Sequence, residues 1–481
     1  MIRHMKHPGP FPTRKNRRTF ALSLFLGGTV LLGLATSAGA ADPGGSFKLH
    51  EISISDLDKN SDSFLRGQIC RCQDKPFSEV KHYPDFVSKA PIFGSVKFGG
   101  RADDTNTEAV FYFAVDESKG TGKGYDRFYF DRNRDLDLRN DAVIKPQAES
   151  ADHGYSPNFS SIKSKTVFDF LKLNLAGPAG GTNSVEIMPR LMLTGDDKET
   201  YRFVFFVRTH AFEGDFKLAG QKFHALLGND YTITPDFDSP GTALKLEGNG
   251  SFDWWGGDRI AAIHQLGGHF YTFSATSDGV LTAQLYTGDL GRLELGAGGR
   301  TLPTNVFSLT GSLNSGKQSV AAGGKLINGR PVETASCELP AGDYLPEFLT
   351  LQYGRMRIQL SQNYHSEGKR QSREGRPPVY GLAIRKDQPF VLNFTNPPEV
   401  MFTSFTNSQR VKLGDELLVA AVLVDPKLDI MFRRLEDTLH KQTNDATGKP
   451  LGYARNFSLD PTVIITRANG DKVAEGVMPF G

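Results

Sequence analysis

The chain is written in short aromatic or β-branched runs separated by turn residues, and this pattern limits its fold more than any other feature. Ala109–Val115 reads AVFYFAV, Tyr125–Phe130 reads YDRFYF and Tyr201–Val207 reads YRFVFFV. Val167–Leu173 alternates apolar and polar residues, the period-two signature of a half-buried strand. His269–Ser274 is a further strand candidate between glycines. With 51 Gly and 26 Pro as punctuation, little of the chain keeps the 3.6-residue period of a helix. Many strands at short spacing predict an all-β, mainly antiparallel protein of several domains, built as sandwich- or barrel-like units.

Turn chemistry places the hairpins. Gly354-Arg355 between Leu349–Tyr353 and Met356–Leu360 predicts one. Asn469-Gly470 between Thr462–Thr466 and Lys472–Ala474 predicts another, because both residues tolerate positive φ. Asp425 to His440 reads two ways. Pro426 is placed to open a helix carrying Leu428, Met431, Phe432 and Leu435, while the neighbouring strands favour a strand over Leu428–Leu435. The predicted organisation is a segment over 1–40, an N-terminal arm over 41–95 and β-rich units over 96–325. A β-rich connection over 326–395 and an Ig-like C-terminal sandwich over 396–481 complete it.

Residues 1–40 read as an export signal. Arg3, Lys6, Arg14, Lys15, Arg17 and Arg18 come first, then an apolar stretch from Phe20 to about Ala35, then Ala38-Gly39-Ala40, with cleavage expected after about Ala40. Arg17-Arg18-Thr19-Phe20 resembles the twin-arginine signal, although Asn16 and Ala21 depart from it, and an ordinary secretory signal fits equally. The chain has 56 Lys+Arg and 54 Asp+Glu; without those six basic residues the balance is 50 against 54, a net of about −4. That balance offers no basic stripe for nucleic acid. No second long apolar segment follows, so no transmembrane span is expected after cleavage. The expected location is the periplasm or the extracellular space.

Asp131-Arg-Asn133-Arg-Asp135-Leu-Asp137-Leu-Arg-Asn140-Asp141 sets oxygen-bearing side chains at alternate positions directly after a strand candidate. Calcium requires about 6–8 oxygen ligands gathered from a short, tight loop. The segment resembles the EF-hand and dockerin calcium loops over about twelve residues. That resemblance gives Asp131, Asn133 and Asp135 the first, third and fifth positions, Asp137 the main-chain position and Leu138 the apolar eighth. Leu136 stands where the family has glycine. Ala142 stands where it has a bidentate acid, with Asp141 one residue early, and no helix pair flanks the loop. The alternative is an acidic turn neutralised by Arg132, Arg134 and Arg139. Gln221–Leu227 running into 228–238 reads as a weak second copy of this unit.

Three cysteines, Cys70, Cys72 and Cys337, are candidates for a disulfide in an oxidising compartment. A Cys70–Cys72 bridge closes a small, strained ring. A bond from either to Cys337 ties the N-terminal segment to the C-terminal part. A metal or redox site on Cys70-Arg71-Cys72, with His82 nearby, is the sharper reading.

Trp254 and Trp255 lie beside Asp258. Neighbours on a strand face opposite sides, so one ring is expected in the core. The other offers a stacking surface for a sugar, or is buried in a second layer. His210, His224, His264 and His269 are the histidines from which a metal cluster is conceivable. No G-x-S-x-G elbow, H-E-x-x-H pair or phosphate loop is present, and a glycosidase carboxylate pair has no sequence spacing that locates it.

The whole chain resembles exported bacterial β-rich proteins carrying D-x-N-x-D-x-D-L loops, a likeness that implies no activity. The reading is an exported, calcium-stabilised, non-enzymatic binding or structural protein of the cell envelope, with polysaccharide or an envelope protein as partner. The alternative is a secreted polysaccharide hydrolase with an unlocated carboxylate pair.

Overall fold

The computed structural model describes residues 42–480, except 54–66, 99–108, 122–123, 148–161, 177–180, 196–199, 230–232, 236, 238–241, 248–258, 297–306, 317, 324–325, 328–329, 332–334, 367–368, 371–378, 394–396, 405–418, 445–447 and 449. The proposed signal over 1–40 and Trp254, Trp255 and Asp258 therefore lie outside the described residues. The described residues form strands and no helix. Among the described residues, no helix is long and apolar enough to cross a membrane.

The expected all-β, mostly antiparallel architecture is observed. Ile92–Phe98, Ala109–Asp116 and Arg127–Phe130 form a three-stranded antiparallel sheet. Gln68–Arg71, Thr200–Arg208, Thr182–Gly195, Ile162–Val167 and Leu171–Ala176 form a five-stranded one. The inward residues of both sheets make one phenylalanine-rich core. Phe98, Phe113, Phe128 and Phe206 are all fully buried in it. Phe113 stacks on Phe128 at 5.3 Å, and Phe98 meets Phe206 edge-on at 5.2 Å. These are the offset and edge-to-face geometries that aromatic quadrupoles favour.

The run Val204-Phe205-Phe206-Val207 breaks the alternation because its strand is buried on both faces. Val204 and Phe206 enter the phenylalanine core. Phe205 and Val207 pack on the other side with Met188, Met192, Ala211, Leu226 and Ile52. A continuous apolar strand is what a doubly covered sheet demands. On that far side lies a four-stranded sheet of His50–Ser53, His210–Leu218, Gln221–Asn229 and Thr242–Glu247.

The largest sheet runs from Gly44–Lys48 through Val280–Leu285, His269–Ala275, Ala262–Leu266, Ser319–Ala322, Phe307–Asn314, Gly342–Tyr353, Met356–Gln362, Ile430–Asn444 and Ala421–Asp425 to Glu399–Phe402. This path crosses the boundaries expected at 325 and 395. Phe307–Asn314 pairs with both Ser319–Ala322 and Gly342–Tyr353, and Met356–Gln362 pairs with Ile430–Asn444. Gly342–Tyr353 and Met356–Gln362 thus share a sheet with Glu399–Phe402, Ala421–Asp425 and Ile430–Asn444, and Leu349, Leu360, Ile430 and Phe432 share one core. The described strands of 396–481 do not confirm the expected Ig-like sandwich: four of them belong to the large sheet, and Thr462–Thr466 with Lys472–Val477 forms a two-stranded sheet of its own. Gly44–Lys48, His50–Ser53, Gln68–Arg71 and Ile92–Phe98 each join a different sheet.

The ambiguous segment after Asp425 is a turn and then a strand. Asp425 Oδ1 accepts from the backbone N–H groups of Lys427 (3.0 Å) and Leu428 (3.1 Å), as a helix cap does. Asp429 then takes φ 54°, which reverses the chain into Ile430–Asn444. Both hairpins form where expected. Tyr353 pairs with Met356 across Gly354 at φ 57°, and Thr462–Thr466 pairs with Lys472–Val477 around Gly470 at φ 89°.

All three cysteines are free. Cys70 belongs to the phenylalanine core and Cys337 to the core of the large sheet, so the expected covalent tie is replaced by burial in separate cores.

Candidate metal-binding loop

The loop begins where Arg127–Phe130 ends. Asp131 donates its backbone N–H to the Tyr112 carbonyl at 2.9 Å, so its first residue is still part of the sheet. Asp131 itself is fully buried. Its two carboxylate oxygens accept from the backbone N–H groups of Asp135 and Leu136, each at 3.1 Å. Asn133 Oδ1 also accepts from Asp135 N (3.1 Å), and Asp135 Oδ1 accepts from Asp137 N (2.9 Å). The amide groups of Asn133 (2.9 Å) and Asn140 (2.7 Å) donate to Asp135 Oδ2.

Leu136 has φ 68°. The sharp turn that glycine makes in related loops is therefore made here by a leucine in the left-handed region, at a cost of about 1–2 kcal/mol. The next residues hold the turn in place. Leu136 O accepts from Lys81 N (2.9 Å), and Leu138 N donates to His82 O (3.0 Å). Leu138 is fully buried among Val80, Phe93, Ala114 and Tyr129, with Phe77, Tyr83, Phe86 and Tyr112 around them. Residues 77–93 thus cover the outer face of the three-stranded sheet and grip the loop. His82 belongs to this contact through its main chain, rather than to a site with Cys70 and Cys72. No local sequence pattern announces His82 or Lys81 as partners of the loop.

The arginines divide their roles. Arg139 binds Asp137 with two hydrogen bonds, Nε to Oδ1 at 3.0 Å and Nη2 to Oδ2 at 2.7 Å. That contact holds the Asp137 carboxyl at about 2. Arg134 lies over the Phe111 ring at 5.7 Å. Arg132 reaches Asp141 Oδ1 with its backbone N–H at 3.3 Å.

Asp141 differs from the others. Its Oδ2 is buried and has no hydrogen-bond partner. Burial, and then the charges of Asp131 and Asp135, push its pKa up. Burial, and to a lesser degree the charge of Asp135, push up that of Asp131. Two desolvated carboxylates, each raised further by a neighbouring acid, are the electrostatic state a cation relieves. Asp131, Asn133, Asp135, the Asp137 main chain and Asp141 are the groups suited to hold calcium. Among the described residues, no three His, Cys, Asp or Glu side chains already stand at metal-ligand spacing. Calcium binding would therefore draw the carboxylates of this loop together.

A second acidic cluster, not singled out in the sequence, sits at the other end of the same sheet. Asp116 is fully buried, and its oxygens accept from Val87 N (3.0 Å) and Ser88 N (2.8 Å). Glu117, also fully buried, accepts from Ser88 Oγ (2.9 Å) and Thr121 Oγ1 (2.8 Å).

The four histidines are not brought together. His224 bonds Asp215 at 2.8 Å, and His210 bonds Thr209 Oγ1 at 2.8 Å. His264 contacts the Arg259 carbonyl at 3.2 Å, and burial lowers its pKa to about 4. His269 pairs with Leu266 in a hairpin. The strand expected at Gln221–Leu227 is present over Gln221–Asn229, while much of the acidic run after it lies outside the described residues.

No known protein family, curated protein or solved structure matches the chain. The fold and loop define an all-β protein of several mostly antiparallel sheets, with an acidic turn anchored by buried Asp131 and Leu138 at the end of the Arg127–Phe130 strand.

Proposed function

We propose that this is an exported protein of the cell envelope that holds one calcium ion in the Asp131–Asp141 loop and acts as a non-enzymatic binding protein, with polysaccharide as its ligand class. The observation that carries the calcium reading is the buried, unpartnered Oδ2 of Asp141 next to fully buried Asp131. Leu136 in the left-handed region and Leu138 in the core add support, because they reproduce the turn and the anchor of a calcium loop. Calcium acts here as a structural clamp. It draws together the end of the Arg127–Phe130 strand and, through Leu136 and Leu138, the 77–93 segment. The envelope location rests on the basic, apolar and small-residue pattern of residues 1–40, and the polysaccharide class on Trp254, Trp255 and Asp258.

The hydrolase reading gains nothing from this loop. Asp131 is enclosed by its own backbone donors and cannot reach a glycosidic oxygen.

Calorimetric titration of the chain with calcium tests the proposal. One binding event is expected, lost in the Asp131→Ala/Asp135→Ala double variant and weakened in Asp141→Asn. Absence of heat at millimolar calcium, where even weak extracellular sites fill, would reduce the loop to a hydrogen-bonded acidic turn. Co-sedimentation with insoluble polysaccharides, repeated with Trp254→Ala and Trp255→Ala, tests the ligand class. No retention of the wild-type chain on any polysaccharide removes it.

A further inference from the structure

Gln68–Arg71 is the edge strand of the five-stranded sheet and pairs with Phe203–Phe206. Cys70 and Cys72 occupy alternate positions, so both side chains face the same side. Cys70 is buried in the phenylalanine core, and Cys72 is half-buried against that core. Cys70 Sγ donates to the Ser95 carbonyl at 3.0 Å, and Cys72 Sγ lies 3.9 Å from the Cys70 carbonyl oxygen. Both thiols therefore lie on the core side of this edge strand.

The backbone around them is pinned from both sides. Cys72 N donates to Arg202 O at 2.9 Å, Gln73 N to Phe93 O at 2.9 Å and Phe93 N to Gln73 O at 3.0 Å. A disulfide requires Cβ atoms about 3.8 Å apart. Alternate residues of an extended strand are separated by two rises of about 3.3 Å each. Closing the bridge would pucker the strand and release those bonds. The pair therefore presents two adjacent sulfurs that the fold keeps from bonding to each other.

Two thiolates suit a soft cation. Zinc requires four ligands, and among the described residues no third His, Cys, Asp or Glu joins this pair at metal-ligand spacing. We propose that Cys70 and Cys72 bind one soft, monovalent, two-coordinate metal ion of the copper(I) class, entering from the Cys72 side. Binding releases both thiol protons and leaves a bis-thiolate complex with one net negative charge. Neighbouring Cys70 and burial hold the Cys72 thiol well above its ordinary value in the metal-free chain, while the Arg202 guanidinium, held by Asp74 at 2.8 Å, partly offsets the charge of the complex. Cys337 is the internal control: it is buried in the other core, where desolvation pushes its thiol up to about 11.

The test is an anaerobic titration of the reduced full chain against copper(I) buffered by a chromophoric bicinchoninate competitor. The wild type and Cys337→Ser are expected to withdraw one equivalent. Cys70→Ser and Cys72→Ser are expected to lose more than the roughly 10–100-fold in affinity that a supporting residue costs. If Cys70→Ser does not fold, Cys72→Ser at the half-buried position carries the test. Failure of the wild type to compete, or equal uptake by the Cys72→Ser variant, overturns the proposal. So does a purified, unreduced chain lighter by two hydrogens in wild type and Cys337→Ser but in neither of the other serine variants, because the pair would then be a disulfide.

Discussion

The two ends of the three-stranded sheet solve the same problem differently. At one end, Asp116 is fully buried and each of its oxygens meets a backbone N–H. At the other, Asp131 is equally buried and bonded, but Asp141 beside it keeps one buried oxygen without a donor. The first end is complete as protein. The second keeps one buried acceptor without a donor, and this is the oxygen on which the proposed calcium site rests. Burial of an acid alone therefore says little about metals; an exhausted supply of donors says more.

The largest expected effect lies at the complete end. Asp116→Ala leaves the buried Ser88 N–H and the partly buried Val87 N–H without their acceptor and is expected to cost about 2–4 kcal/mol in chemical denaturation. The loss should be the same with and without calcium. A calcium-dependent loss would break the contrast between the two ends.

Next is the gain from calcium itself. At a hundredfold excess over Kd, the ion is expected to add about 2.7 kcal/mol to unfolding free energy. Asp131→Ala should abolish this increment, read from denaturation curves with calcium and with chelator. A retained increment would place the ion elsewhere.

Leu136→Gly should follow. It removes left-handed strain of about 1–2 kcal/mol and returns part of it as unfolded-state entropy. A net gain of about 0.5–1 kcal/mol is expected, with tighter calcium binding by calorimetry. Destabilisation would mean that the leucine side chain contributes more than its backbone costs.

The pH response sharpens the comparison further. Without calcium, the raised pKa values of Asp131 and Asp141 mean that the folded loop holds more protons than the unfolded chain. Their contribution to stability therefore rises as pH falls from neutral through those raised values towards the ordinary 3.8. Calcium should reverse that slope, because proton uptake then competes with the ion. Below 3.8, the depressed carboxyls of Asp135 and Asp137, the latter at about 2, contribute stability that is lost as they protonate. Paired melts across this range, with calcium and with chelator, read both signs; identical slopes would sink the calcium reading. The smallest effect belongs to Arg139→Gln, which should leave calcium affinity unchanged, since Asp137 is assigned only a main-chain ligand.

What could be read in the sequence was local. Alternation marked 167–173, which the fold divides between the end of Ile162–Val167 and the start of Leu171–Ala176; Asn469-Gly470 marked its hairpin and the Asp131–Asp141 spacing marked the loop, because each depends on residues a few positions apart. The Asp425 turn misled in part for the same reason. Its side chain makes the hydrogen bonds of a helix cap, and only the positive φ at Asp429 separates the outcomes. Tertiary structure alone decided that strands from 41–98 feed four sheets, that Val204–Val207 is covered on both faces, that Cys70 and Cys337 sit in different cores, and that His82 grips Leu138. Strand pairing joins residues far apart in the chain, and a period of two shows which face is buried without showing which partner buries it.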